Sequence, residues 1–115
     1  MPLSLENRPE PPYYAVIFTS LRSSSDSDEY SQLARRMVEL ASQQPGYLGM
    51  TSFRNPDGLG VTISYWADWA AIANWRTHAE HRLAQKQGRE KLYEEFRIEV
   101  CRVEDHSAYK RAPND

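Results

Sequence analysis

Between residues 13 and 103 the hydrophobic period of this chain switches repeatedly between two and about 3.6, and that ordered switching limits the fold more than any single motif. YYAVIFTS (13–20) is rich in aromatic and β-branched residues and reads as a central strand buried on both faces. A Ser/Asp stretch follows. There Asp26 is placed to accept from the free amides of a first helical turn, with Glu29 three residues on to close a capping box. Tyr30, Leu33, Ala34, Met37, Leu40 and Ala41 then recur at the spacing of an amphipathic helix. Gln44-Pro45-Gly46 stops it, because Pro cannot continue the hydrogen-bond ladder and Gly accepts a left-handed cap.

LGMTSFR (48–54) predicts a second strand, NPDGLG (55–60) a hairpin, and VTISYW (61–66) a third strand. In that third strand Val61, Ile63 and Tyr65 point one way while Thr62, Ser64 and Trp66 point the other. Asp68 is placed to cap a second, less regular helix running to about Gly88. FRIEVCRV (96–103) supplies the last strand, with Phe96, Ile98 and Val100 alternating against Arg97, Glu99 and Cys101.

The order strand, helix, strand, strand, helix, strand predicts an α+β, ferredoxin-like βαββαβ fold, with one antiparallel sheet and both helices on one face. The sequence holds no further element to cover the other face, so a second copy of the same sheet is expected there, making a homodimer. Charging that face, for example by Val16→Glu or Ile98→Glu, is expected to break the dimer. Residues 1–12, with Pro9, Pro11 and Pro12, read as an N-terminal arm, 13–104 as the folded domain and 105–115 as a polar tail.

Composition narrows the function classes without naming one. A chain of 115 residues, 40% hydrophobic and 26% charged, is sized and balanced for one globular domain. A formal net charge of −2 gives no basic excess for nucleic acid or an anionic membrane. No apolar run reaches the roughly 20 residues of a membrane span, and the N-terminus lacks the basic and apolar regions of a signal peptide. The single cysteine, Cys101, fits a cytoplasmic setting and is read as a small residue filling a sheet or dimer interface.

The candidates for chemistry cluster in SYWADWAAIANWRTHAEHRLAQKQGR (64–89). His78 and His81 stand three apart on one helix. They are read either as pocket groups able to switch between donor and acceptor or as surface residues in polar contacts. With no third ligand at a fitting spacing and no H-E-x-x-H pattern, no metal site is expected. Trp66 and Trp75 either supply core area or wall a cleft between sheet and helix suited to a flat aromatic ligand. No phosphate loop, dinucleotide fingerprint or nucleophile elbow is present.

YYAVIFTS, the QPGYLG turn (44–49), VTISYW and above all NWRTHAEHRLAQKQGR (74–89) resemble the antibiotic-biosynthesis-monooxygenase family, and most closely its small stand-alone bacterial members. The resemblance covers about residues 13–104. It implies a dimeric α+β barrel with a pocket between sheet and helices in each subunit. It also implies oxidation of an aromatic or quinol-like small molecule by molecular oxygen, as a cofactor-independent monooxygenase. In such a pocket a polar group deprotonates the substrate and an aromatic wall orients it. On this resemblance His78, His81 and Asn74 are the catalytic candidates, and Trp66, Trp75 and Tyr65 the substrate-binding ones.

Related haem-degrading members use a Trp followed about ten positions later by a His; here Trp75 is followed by Gln85, so haem degradation is not expected. A dimeric barrel that binds a small metabolite or serves in a stress response without catalysis is the alternative.

Overall fold

Alternation along the strands decides which residues meet the helices. The computed structural model describes residues 7–22, 27–85 and 93–113, with backbone only at 27–31 and 80–85. The elements follow the expected order: β1 (Tyr13–Arg22), α1 (Ser27–Ser42), β2 (Tyr47–Arg54), β3 (Leu59–Trp66), α2 (Trp69–Gln85) and β4 (Tyr93–Val103). β1 pairs antiparallel with both β3 and β4, and β2 with β3, so the sheet order is β2-β3-β1-β4. This is a ferredoxin-like α+β fold.

β1 and β4 run further than their patterns predict. Arg22 pairs with Tyr93 across an irregularity next to Leu21, so backbone pairing carries both strands past the alternating residues. The side chains of Asp26 and Glu29 lie outside the described residues, as does everything between Gln85 and Tyr93. The second cap is present as expected: Asp68 Oδ1 accepts from the Ala71 N–H at 2.8 Å. Gly46 has φ +85°, and a Cβ there would lie 2.7 Å from the Ala71 Cβ, so both backbone conformation and the approach of α2 require glycine. In the hairpin between β2 and β3, Gly58 N–H donates to Asn55 O at 3.0 Å and Asn55 N–H to Leu59 O at 2.8 Å.

Both helices pack on one face of the sheet. Val16, Trp66, Ala41, Ala71, Ile72 and Trp75 form the main buried cluster, with Met37, Leu40, Met50 and Ile98 among the side chains packed around it. Val16, 7% exposed, and Ile98 therefore lie on the helix side. The expectation that charges at these two positions would probe an outward face is corrected: they would enter the core. The parity of the register shows why, since Val16 pairs with Ser64 and Val100, both on the helix side.

The other face carries Ala15, Ile17 and Thr19, paired with Tyr65, Ile63 and Val61 on β3 and with Cys101, Glu99 and Arg97 on β4. Ile17, Val61 and Ile63 are half-buried, Cys101 is exposed and Phe53 is 69% exposed. β1 is central in the sheet, but of its own residues on this side Tyr13 and Ala15 are buried while Ile17 and Thr19 are half-buried. There Arg8, before β1, and His106, after β4, lie against the sheet, a face for which a second copy was the expected cover. The Tyr13 hydroxyl and His106 Nδ1 share a 2.8 Å hydrogen bond, and the Arg8 guanidinium lies 3.7 Å from the centre of the Tyr65 ring.

Candidate functional site

Thr62 and Ser64 put short polar side chains on the core face of β3, where larger apolar ones would fill the space under the helices. A cavity of about 190 Å³ remains. Its sheet side combines apolar Val16, Phe18 and Ile98 with a row of hydroxyls at Ser52, Thr62 and Ser64. Leu33 and Met37 of α1 and Trp75, Arg76 and Ala79 of α2 supply the opposite walls. Tyr93 and Phe96 complete the lining from β4. Phe96 stacks on Phe18 with centroids 5.4 Å apart, and Tyr93 meets Phe18 edge-on at the same distance.

The two central tryptophans hold different positions. Trp75 lines the cavity, while Trp66, wholly buried, stacks behind it at 5.9 Å and 23° and meets Tyr47 edge-on at 5.6 Å. The Trp66 Nε1–H donates to Ser64 Oγ at 2.8 Å. The Ser52 and Thr62 hydroxyls bond each other at 2.7 Å. Arg76 is exposed and is the cation among the described lining residues, which include no Asp, Glu or His.

Of the residues singled out from the sequence, the structure brings Trp66 and Trp75 together and leaves the others apart from the cavity or undescribed. Tyr65 lies on the opposite face of the sheet, edge-on to Tyr13 at 6.1 Å. Asn74 is exposed, and its Nδ2 donates to Gln44 Oε1 at 2.9 Å. His78 is exposed and is not among the lining residues. His81 lies within α2, with its side chain outside the described residues. The cavity is lined by Ser64, Arg76 and the Phe18–Tyr93–Phe96 cluster, none of which the sequence reading singled out. The signal for Ser64 was in the sequence, as a hydroxyl two residues before Trp66 on the same face of a strand.

Among the described residues no group of three or more His, Cys, Asp or Glu is placed to hold a metal ion. No helix among them is long and apolar enough to cross a membrane.

Comparison with known proteins places this cavity in context. The profile of the antibiotic biosynthesis monooxygenase family matches residues 12–87. The uncharacterized protein YqjZ of Bacillus subtilis is 46% identical over 111 residues, 96% of each chain. The jasmonate monooxygenase ABM of Pyricularia oryzae is 27% identical over 92 residues, which are 78% of this chain but 43% of that one. In fold, the chain is similar to SnoaB, a cofactor-independent oxygenase from Streptomyces nogalater, with a TM-score of 0.61 and 16% identity over 90% of this chain and 99% of that one. From its sequence and its fold, the chain belongs to the antibiotic biosynthesis monooxygenase family.

Proposed function

We propose that the chain takes a flat aromatic, phenol- or quinol-type small molecule into the cavity between sheet and helices and oxidises it with molecular oxygen, using neither flavin nor metal. The observation that carries this reading is the cavity itself: an apolar slot walled by Trp75, braced by Trp66, with a line of hydroxyls along the sheet. Membership of the family supports the reaction type, as does the fold shared with an oxygenase that needs no cofactor. A relative named for the monooxygenation of jasmonate supports a small organic substrate.

The proposed reaction balances for a phenol with a free para position. The ionised ring gives electrons to O2 and one oxygen atom becomes the new quinone carbonyl. The other leaves as water with the phenolic and the ring hydrogen. Trp75 orients the ring. Proton removal falls to His81 or is complete before binding, because His78 is exposed and the described walls hold no carboxylate or imidazole. That same lack favours a second reading, in which the cavity binds a small metabolite without turning it over.

The proposal includes a homodimer, with the open sheet face of Ile17, Val61 and Ile63 against a second copy, and a cytoplasmic setting for the exposed Cys101 thiol.

Oxygen uptake by metal-stripped protein against a panel of quinols and hydroxylated polycyclic aromatics tests the reaction. One O2 consumed per substrate, with one labelled atom from 18O2 in the product, is expected. Loss of turnover in His81→Ala but not in His78→Ala assigns the proton acceptor. Saturable binding with no oxygen uptake across the panel would move the account to the binding reading.

A further inference from the structure

We propose that Ser64 docks an oxygen atom of the ligand, and that together with Arg76 it makes the cavity select apolar compounds bearing an acceptor oxygen, anionic ones above all. This rests on the cavity being the ligand site. An indole N–H can only donate, so in the 2.8 Å bond between Trp66 Nε1 and Ser64 Oγ the serine is the acceptor. The serine's own proton must point elsewhere, and it meets no acceptor among the described residues. Ser64 is 4% exposed and lines the cavity, so this is a buried donor facing an apolar space. A buried donor left without an acceptor is unfavourable, and a ligand oxygen relieves that. The bond received from Trp66 also polarises the hydroxyl and makes it a better donor.

The rest of the lining points the same way. Ser52 and Thr62 use one proton on each other and keep one to offer. Arg76 adds a positive charge that makes no ion pair among the described residues, and no carboxylate among the described lining residues offsets it. Among the described lining residues the one charge is therefore positive, with unspent hydroxyl protons beside it. A ketone, phenolate or carboxylate oxygen finds a hydroxyl proton there and an anionic one also meets the Arg76 charge, whereas an ammonium group, although the hydroxyl lone pairs can accept from it, is opposed by that charge.

Three ligands of one shape separate these contributions: 2-naphthoate, 2-acetylnaphthalene and 2-ethylnaphthalene, measured by equilibrium dialysis against the full chain at neutral pH. The expected order of affinity is naphthoate, then ketone, then hydrocarbon. Each step is about three- to tenfold, the range of one hydrogen bond or one partly exposed charge contact. Ser64→Ala removes the preference for ketone over hydrocarbon, and Ser64→Thr, which keeps the hydroxyl, restores it. Arg76→Gln removes the preference for naphthoate over ketone and leaves the ketone's affinity unchanged.

The wild-type order alone decides the matter if Ser64→Ala does not fold, since that variant also strands the Trp66 N–H. Equal binding of all three ligands would overturn the proposal and leave the cavity as the ligand site. Tighter binding of 2-naphthylmethylammonium than of naphthoate would overturn it as well. Failure of every ligand to bind would overturn both the proposal and the cavity reading beneath it.

Discussion

Trp66 and Trp75 stack on each other, yet only Trp75 has a face toward the cavity, and substitutions at the two positions should part accordingly. Trp66→Ala removes a wholly buried indole and is expected to cost about 3–5 kcal/mol in urea unfolding, the range for emptying an aromatic site in a core. Trp75→Leu keeps most of the apolar fill but removes the flat wall, so binding of an aromatic ligand should fall further than stability. His78→Ala should leave stability within about 0.5 kcal/mol and ligand affinity unchanged, because the side chain is exposed and lies outside the cavity lining. At this scale the sequence was half legible. The alternation that separates Tyr65 from Trp66 was readable and already forbade both from lining one cavity. The place of Ser64 on the face of Trp66 was readable too, but the cavity it lines was not, because the walls from α1, α2 and β4 come together only in the fold.

The elements were legible in order and less so at their ends. Each strand and helix writes its period locally, and the Pro45-Gly46 stop and the Asp68 cap are short-range chemistry. The extra length of β1 and β4 comes from pairing between residues some seventy positions apart, such as Arg22 with Tyr93, which no local pattern records. The second helix looked irregular for a physical reason. It buries Ala71, Ile72 and Trp75 on the sheet while leaving Trp69, Asn74 and His78 exposed, so large and polar residues mix on its outer side. Asp68→Ala should remove the bond to the Ala71 amide and cost about 1 kcal/mol, read from the midpoint of denaturant unfolding. Gly46→Ala should cost about 1–3 kcal/mol, since a side chain there meets both a left-handed backbone and the Ala71 methyl.

At the scale of the whole molecule, the two faces of the sheet separate folding from assembly. Val16→Glu places a charge among Trp66 and Ile72 and should unfold the chain. Ile17→Glu and Ile63→Glu place it on the open face and should leave the helical circular dichroism intact while converting the proposed dimer to monomer in sedimentation. A dimer that persists in both of the latter variants would show that this face is not the contact between copies.

The central claim is that the cavity walled by Trp75 receives the ligand, and the chain's three tryptophans report on it directly. In a proton–nitrogen spectrum each indole N–H gives one peak, assignable from single Trp→Phe variants. On titration with 2-naphthoate, the peaks of Trp75, which lines the cavity, and of Trp66, whose N–H is bonded to Ser64, should shift together and saturate. The peak of Trp69, 55% exposed and outside the cavity lining, should stay in place. A saturating shift of Trp69 with Trp66 and Trp75 unmoved would place the ligand elsewhere and contradict the account.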